Sequence, residues 1–585
     1  MTNFEKAREE AWEGIIKTNT VKLIQEKTKG KYGIVKKDFW EITVEISLND
    51  TIVDFKLLAH LKPDFPLSLP EIYLSEEDYE KIKYIPHVDN KRSICLFDKE
   101  NIKINIHKPL DILKECLARA KKIIVDGINK SNLSEFKDEI TAYWQNTYHQ
   151  NDSITGGYLG SGTSELPIGK LIVHILSPSY DKTSFFIGSQ NEESKKIKSF
   201  FKLNGNNLKE IEGLYMGTIT KTFAPPFSFT NNSLINFIHN NFENNIKEIE
   251  SYLNEDFNSK ILIFSIDING ELLFFGFNIV GFQIKKLKGW RSNSLNTVKI
   301  MSSVQPQTLV QRINFTDFSL SRIKKRTDGI SDSNSSLKLL VAGLGSIGSN
   351  LLFYLSNLNL SNLILIDPEI LQFENINRHL LSYREVGENK VDAIAKYISF
   401  NNPFIEIEKH SSSIIDVIQK NLESINQMDF LFCAIGKDSI ETYILECLSN
   451  GKIEKPLILF WVEPYLLGAH VLYINPKTNF RLDDLEIDNH YKYNIISNET
   501  YLNPKNKLLL KEAGCQSSYI PYGKESIALF FSAFLPYLYG IIKNKPFDNL
   551  AFTYIGDLSI GIKSNLEISD FAKRFTEGQI IKQII

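Results

Sequence analysis

Cysteine is scarce in this chain: 585 residues hold five (Cys95, Cys116, Cys433, Cys447, Cys515), and no two are spaced as C-x-x-C. That argues against a disulfide framework and against a structural zinc site built from paired cysteines, leaving only the chemistry of single thiols. An excess of either charge is also missing. With 67 Lys and Arg against 70 Asp and Glu, the formal net charge is −3, so there is no general electrostatic reason to bind nucleic acid or an anionic membrane. Long apolar runs are absent as well. The most apolar stretch, 526–542, is interrupted by Pro536 and flanked by Lys524 and Lys543, which predicts a buried helix rather than a bilayer span. The first residues, MTNFEKAREEAWEG, are charged where a signal peptide would be apolar; a cytoplasmic, globular protein is expected. No repeat or low-complexity tract stands out, and the length exceeds one hydrophobic core, so three domains are expected.

What is present centres on 337–390. An apolar run, 339–342, meets Gly343-Leu-Gly345-Ser-Ile-Gly348, a helical stretch follows, and a second apolar run, 363–366, ends in Asp367. This is one β-α-β unit with a glycine-rich turn at a helix N-terminus, where free N–H groups and the helix dipole favour phosphate. Asp367 follows the last glycine by 19 residues, the place where a carboxylate meets a ribose hydroxyl. Asn375, Arg378 and Lys390 then follow in ENINRH and GENK. A nicotinamide enzyme has no phosphorus bond to break. An enzyme that adenylates a carboxylate must neutralise charge on the α-phosphate and the departing pyrophosphate, which is work for fixed cations.

The stretch resembles the adenylation domain of the ubiquitin-activating, MoeB and ThiF family, whose pattern is GxGxxG, an Asp, SNLNRQ, then a Lys. Here Glu374 stands for the Ser and His379 for the final Gln, while Asn375, Arg378 and Lys390 fall in place. The resemblance implies ATP and magnesium, with Arg378 and Lys390 on the phosphates. The plainer alternative is a nucleotide-binding domain with surface cations.

Residues 1–150 open with an expected helix (4–26), then alternating runs at 40–46, 52–58 and 71–74 that suit an antiparallel meander. Pro63, Pro66 and Pro70 forbid regular pairing between them, and an irregular stretch reaches Ile94-Cys95-Leu96. Together these resemble the ubiquitin-conjugating (UBC) fold, whose HPN triplet falls on Ile85-Pro86-His87. His87 thus replaces the asparagine thought to steady the oxyanion. It could donate an N–H to that oxyanion, or its neutral ring could take a proton from an attacking lysine. Cys95 is the expected thioester cysteine; the alternative is a buried small hydrophobe between Ile94 and Leu96.

From 151 to 330 the pattern is weak. Gly156-Gly157 and Gly160-Ser-Gly162 read as a linker, strands are expected at 171–176, 261–266, 271–277 and 282–287, and a helix at 233–253. The expectation is a scaffold domain. Near its end Arg326 matches the arginine that the adenylating family places before the nucleotide domain, though a solvated basic turn explains it equally. Beyond Lys390, Asp438 is the nearest carboxylate to the family's CTDN aspartate and its magnesium; a helix-capping role is the alternative. Cys515, between Gly514 and small polar residues, is the candidate acceptor of the acyl group from the adenylate. Cys116, Cys433 and Cys447 read as packing.

The expected fold class is α/β: an N-terminal UBC-like α+β domain (1–150), a middle α+β scaffold domain (151–330) and a C-terminal Rossmann-like ThiF/MoeB adenylation domain (331–585). This order resembles the conjugating–activating fusion family encoded in CBASS antiphage operons. That resemblance implies an acyl-donor protein with a free C-terminus, a cGAS-like nucleotidyltransferase, joined to an amine on a target, and a homodimer through the adenylation domain. Two cysteines on one chain raise the local concentration of the second acceptor, and a mobile N-terminal domain is expected so that Cys95 can visit Cys515. The rival readings are a sulfur-carrier adenylyltransferase, an NAD-dependent dehydrogenase and an inert binding module.

Overall fold

The computed structural model describes residues 3–30, 33–48, 51–97, 103–132, 135–148, 151–160, 162–163, 166–177, 183–221, 225–255, 259–280, 297–323, 336–476, 478, 480–487, 490–502, 510–511, 518–519 and 521–585. Cys515, Arg326 and the expected strand at 282–287 lie outside them. Contacts divide the chain into two compact units, Met1–Asn191 with Gly205–Ser319, and Glu192–Asn204 with Leu320–Ile585.

The first unit begins with helix α1 (Asn3–Ile16) and an antiparallel meander β1 (Val21–Gly30), β2 (Gly33–Leu48), β3 (Thr51–His60) and β4 (Glu71–Leu74), in that order. The helix is shorter than expected. Val21 pairs with Ile42 and Leu23 with Trp40, and a β-branched start beside a long partner strand takes residues 21–26 into the sheet. The long helix α2 (Pro109–Ile128) buries Leu113, Cys116, Leu117, Ala120, Ile123 and Ile124, whose spacing of three and four makes one stripe. It shares a core with Ile42, Val44, Leu57 and Ile72 of the sheet.

The same unit contains a closed seven-stranded barrel, around which β10-β11-β5-β7-β6-β8-β9 are neighbours. These are β5 (Ile154–Leu159), β6 (Gly169–Ser177), β7 (Ser184–Ile187), β8 (Asn207–Ile219), β9 (Ser259–Ile268), β10 (Glu271–Val280) and β11 (Gln311–Asp317). Gly156 and Gly157 are therefore strand, not linker. A Cβ on Gly157 would lie 2.4 Å from the Phe315 ring, so the glycine makes room for an aromatic. The expected single helix at 233–253 is two, Asn231–Asn241 and Ile246–Asn254, with Phe242 buried at the break. The short helix Ile140–Gln145 sends Trp144 into the barrel's aromatic core, with ring centroids 5.1–5.9 Å from Phe227, Phe229, Phe264, Phe275 and Phe277. The indole N–H donates to the Ile313 carbonyl at 3.0 Å. Buried Arg312 answers with N–H donation to the carbonyls of Trp144 (2.6 Å) and Asn146 (2.7 Å).

The second unit is a Rossmann-like layer structure on an eight-stranded sheet, order β14-β13-β12-β15-β16-β17-β18-β19. Its strands are β12 (Leu337–Ala342), β13 (Leu360–Ile366), β14 (Glu406–His410), β15 (Phe430–Cys433), β16 (Leu457–Val462), β17 (Gly468–Ile474), β18 (Leu550–Ile555) and β19 (Ile580–Ile584). The first five positions pair in parallel and the last three antiparallel. Strand order reverses between β12 and β15, the switch point at which open α/β sheets bind ligands. The apolar run foreseen as a buried helix is α6 (Lys524–Asn544), buried along one face only: Ile527, Phe530, Phe531, Phe534, Leu538 and Ile541 enter the main core of this unit, while Leu529, Tyr537 and Tyr539 are exposed. By length and composition the helix is long and apolar enough to cross a membrane. Before it come α3 (Ser346–Leu355), α4 (Lys390–Asn401) and α5 (Asp438–Ser449).

Candidate functional site

At the switch point each glycine of the turn has its own task. Gly343 sits at φ 87°, and a Cβ there would lie 2.5 Å from the Ala434 carbonyl oxygen, so it is the crossing point of the β12 and β15 ends. A Cβ on Gly348 would lie 1.8 Å from the Gly343 carbonyl oxygen, whereas one on Gly345 meets nothing within 4 Å. The first and third glycines therefore close the turn, and the second leaves open space beside the backbone. Gly345 is also the N-cap of α3 and has no side-chain cap, so the first-turn N–H groups suit an anion. Replacing Gly348 by alanine is expected to abolish the shift of thermal unfolding by ATP and to lower stability outright, because a backbone carbonyl cannot yield. Gly345→Ala should fold normally and weaken only the ATP response.

Asp367, at the end of β13, is buried, and both carboxylate oxygens take backbone N–H bonds, from Leu344 at 2.6 Å and Glu369 at 2.8 Å. Burial raises its pKa, against the lowering pull of Lys390 and the two N–H donors. Lys390, at the start of α4, is only 3% exposed and pairs through Nζ with Glu369 Oε2 at 2.6 Å; it is not a surface cation. The Arg378 guanidinium lies 5.5 Å from the Tyr522 ring centre, while its backbone carbonyl accepts from Asn350 Nδ2 at 2.8 Å. Tyr522 and Ser346 in the glycine turn share a short hydroxyl–hydroxyl bond. Asn375 accepts the Gln372 N–H at 3.1 Å and caps the turn that carries Arg378.

His379 ties that segment to the glycine turn. Its Nε2 bonds the Leu344 carbonyl at 2.7 Å and its Nδ1 accepts the Leu381 N–H at 3.2 Å, which fixes the neutral tautomer with the proton on Nε2. Burial, with the positive charges of Lys390 and Lys524, pushes its pKa down from 6.5 to about 4. A depressed histidine gives stability that is full above pH 6.5 and is lost as pH falls through about 4. Compared with His379→Gln, the natural chain should lose on the order of 3 kcal/mol between those limits, since one pKa unit corresponds to about 1.4 kcal/mol. Denaturant melts of both proteins across the interval measure the difference.

Asp438 is exposed in the first turn of α5, whose N-cap is Lys437, so the capping alternative is not realised. Sequence reasoning missed Glu441 behind it. This carboxylate is buried, accepts the Gly436 N–H at 2.8 Å, and is pushed up to about 7 chiefly by burial. Its only sequence signal was its place one turn into a helix that follows a strand end.

A second constellation lies in the first unit, in the loop from Tyr84 to Leu96. Cys95 is exposed, whereas Cys116, Cys433 and Cys447 are buried; burial pushes the Cys116 thiol up to about 12. Ile94 and Leu96 anchor Cys95 by packing inward, and its N–H donates to the His87 carbonyl at 2.7 Å. His87 adopts φ 65°, a left-handed conformation that costs a non-glycine residue roughly 1–2 kcal/mol, and strain of this kind collects at functional sites. The strain is offset by contacts. Nδ1 lies 2.9 Å from Glu139 Oε1, Nε2 lies 2.8 Å from Glu135 Oε2, and the His87 backbone N–H donates to Glu139 Oε2 at 3.2 Å. The Tyr143 hydroxyl also donates to Glu139, at 3.0 Å. Hydrogen bonds to Cys95 and then Glu139 outweigh burial and raise the His87 pKa to about 10. For Glu139 burial alone would raise the pKa, but the bonds to His87 and Tyr143 bring it below the ordinary value. Cys95, His87 and Glu139 line a cavity of about 600 Å³ together with Tyr73, Asp89 and Tyr143. The two glutamates were not foreseen. They stand four residues apart on the segment that Trp144 roots in the barrel.

The structure thus defines one arrangement, a Rossmann-type glycine turn with a buried lysine and an arginine against an aromatic ring in the second unit, and a helix-and-meander domain with an exposed cysteine in the first. The comparisons agree with it. Residues 320–459 match the ThiF family and residues 24–152 match prokaryotic E2 family B. Ubiquitin-like modifier-activating enzyme 5 of Drosophila virilis is 33% identical over 89 residues, 15% of this chain and 22% of that protein. The same-named enzyme of Drosophila willistoni is 26% identical over 152 residues, covering 23% of this chain and 36% of that protein. The NEDD8-activating enzyme E1 catalytic subunit of Arabidopsis thaliana is 35% identical over 111 residues, 19% of this chain and 23% of that protein. The chain therefore spans about a quarter to a third of the length of these relatives. It carries an E1-like adenylation domain and an E2-like domain in one polypeptide.

Proposed function

We propose that this chain both activates and conjugates a ubiquitin-like acyl-donor protein. The carrying observation is the pair of sites just described, the glycine turn with buried Lys390 and the exposed Cys95, each within a region that matches the corresponding family. A carboxylate at the donor's C-terminus attacks the α-phosphate of ATP, giving an acyl-adenylate and releasing pyrophosphate. The open backbone at Gly345 and the cations Arg378 and Lys390 suit the phosphates, and Asp367 suits the ribose. Magnesium would be held with the help of Asp438. The Cys515 thiolate then displaces AMP, and the acyl group passes from that sulfur to Cys95 with one thioester broken and one made. Finally an amine attacks the Cys95 thioester, forming an amide and releasing the thiolate and a proton. His87 falls in sequence at the family's oxyanion asparagine; its Nδ1–H, 2.9 Å from Glu139 Oε1, would swing from that carboxylate to the developing oxyanion while Nε2–H stays on Glu135.

Likeness to the CBASS-encoded fusions supports a cGAS-like nucleotidyltransferase as the donor, a role in antiphage defence, a homodimer and a cytoplasmic location. Non-reducing gels with ATP and a candidate donor test the relay. Cys515→Ala should lose every adduct, whereas Cys95→Ala should keep one thioester and lose every conjugate. Equal adducts in all three proteins would remove the relay. Pyrophosphate exchange dependent on the donor separates this reading from a dehydrogenase, and the E2-like region separates it from a sulfur-carrier adenylyltransferase.

A further inference from the structure

We propose that Cys95, His87 and Glu139 form a binding site for a zinc-class divalent ion, and that occupancy silences the carrier cysteine. A sulfur, a ring nitrogen and a carboxylate oxygen from these residues all lie within 4.8 Å of one another. Thiolate, imidazole and carboxylate are each zinc ligands, and three protein ligands with a fourth position left open are the pattern of open zinc centres. At tetrahedral angles such ligands stand roughly 3.3–3.7 Å apart, so closure needs side-chain shifts of about 1 Å. The surroundings already orient each ligand. Glu135 Oε2 holds the His87 Nε2 at 2.8 Å, leaving Nδ1, the nitrogen 2.9 Å from Glu139 Oε1, as the metal-facing atom. A carboxylate behind a ligating histidine is the usual outer support of such sites. Glu139 is steadied through its other oxygen by the Tyr143 hydroxyl and the His87 N–H. The Cys95 N–H bond to the His87 carbonyl keeps both residues in one loop. All three ligands face the cavity of about 600 Å³, which leaves a fourth position for water, as open zinc centres have.

Binding displaces the Cys95 thiol proton and the His87 Nδ1 proton to solvent, and no electrons are transferred. A sulfur bound to the ion cannot attack an acyl group, and an acylated sulfur is a poor ligand, so loading and metal exclude each other. The binding rests on geometry; its inhibitory consequence rests on Cys95 being the acyl carrier.

The test titrates Co²⁺ into the full chain, stripped with chelator, with neither ATP nor donor present, so its outcome is independent of conjugation. A thiolate-to-cobalt absorption band in the near ultraviolet, with one ion bound per chain, is expected. Cys95→Ser should abolish it, Cys515→Ser should keep it, and Glu135→Gln, which leaves all three ligands in place, should weaken affinity about 10–100-fold. Near-ultraviolet circular dichroism verifies that the variants are folded. Absence of the band, its survival in Cys95→Ser, or its loss in Cys515→Ser alone would each overturn the site. In a second arm, Zn²⁺ should protect Cys95 from alkylation, with peptide mapping as the readout; undiminished alkylation at saturating Zn²⁺ would overturn the silencing.

Discussion

Lys390→Ala is expected to lower donor-dependent ATP–pyrophosphate exchange by about 10²–10³-fold, the usual cost of removing one preorganised charge from a transition state. The expectation comes from where the side chain is. Lys390 is 3% exposed and its ammonium is 2.6 Å from Glu369, so it is already desolvated and held in place by that carboxylate. It also lowers the pKa of buried Asp367, placing it within electrostatic range of that carboxylate. Its loss should act on turnover more than on ATP affinity if it serves the departing pyrophosphate. Because the substitution also leaves Glu369 without this partner, a thermal melt must accompany the exchange assay. An unchanged exchange rate in a stably folded Lys390→Ala protein would return the residue to a structural role.

Trp144→Ala is expected to separate the two activities. The indole is fully buried among five phenylalanines, and replacing such a ring by alanine costs about 3–5 kcal/mol. The loss should appear as a lower denaturant midpoint for the first unit. The same change loosens the segment that presents Glu135 and Glu139 to His87, so discharge of the Cys95 thioester to an amine should fall. Pyrophosphate exchange, proposed for the other unit, should hold. Equal loss of both activities would mean general unfolding rather than a displaced pair of carboxylates.

The adenylation half was legible because its signals are local. A glycine turn, an apolar run on either side and Asp367 at a fixed distance all lie within one β-α-β unit, where neighbours in sequence are neighbours in space. The E2-like half was legible in outline for the same reason: the meander joins consecutive strands. Residues 21–26 were misread as helix because the preference of a short apolar stretch is decided by its pairing partner, here β2. Gly156 and Gly157 were misread as linker because a glycine required by the Phe315 ring looks, in sequence, like a glycine required by flexibility.

The sequence by itself determined the order of the E2-like and ThiF-like domains, the glycine turn between β12 and α3, and Cys95 as a thiol in an irregular loop, since each is written in contiguous residues. Only the tertiary structure decided that Lys390 is buried, that His379 is held neutral, and that His87 stands between two carboxylates from a segment anchored in a barrel. Burial and long-range hydrogen bonds set those properties. They depend on which distant residues exclude water from a side chain, and no spacing rule carries that information.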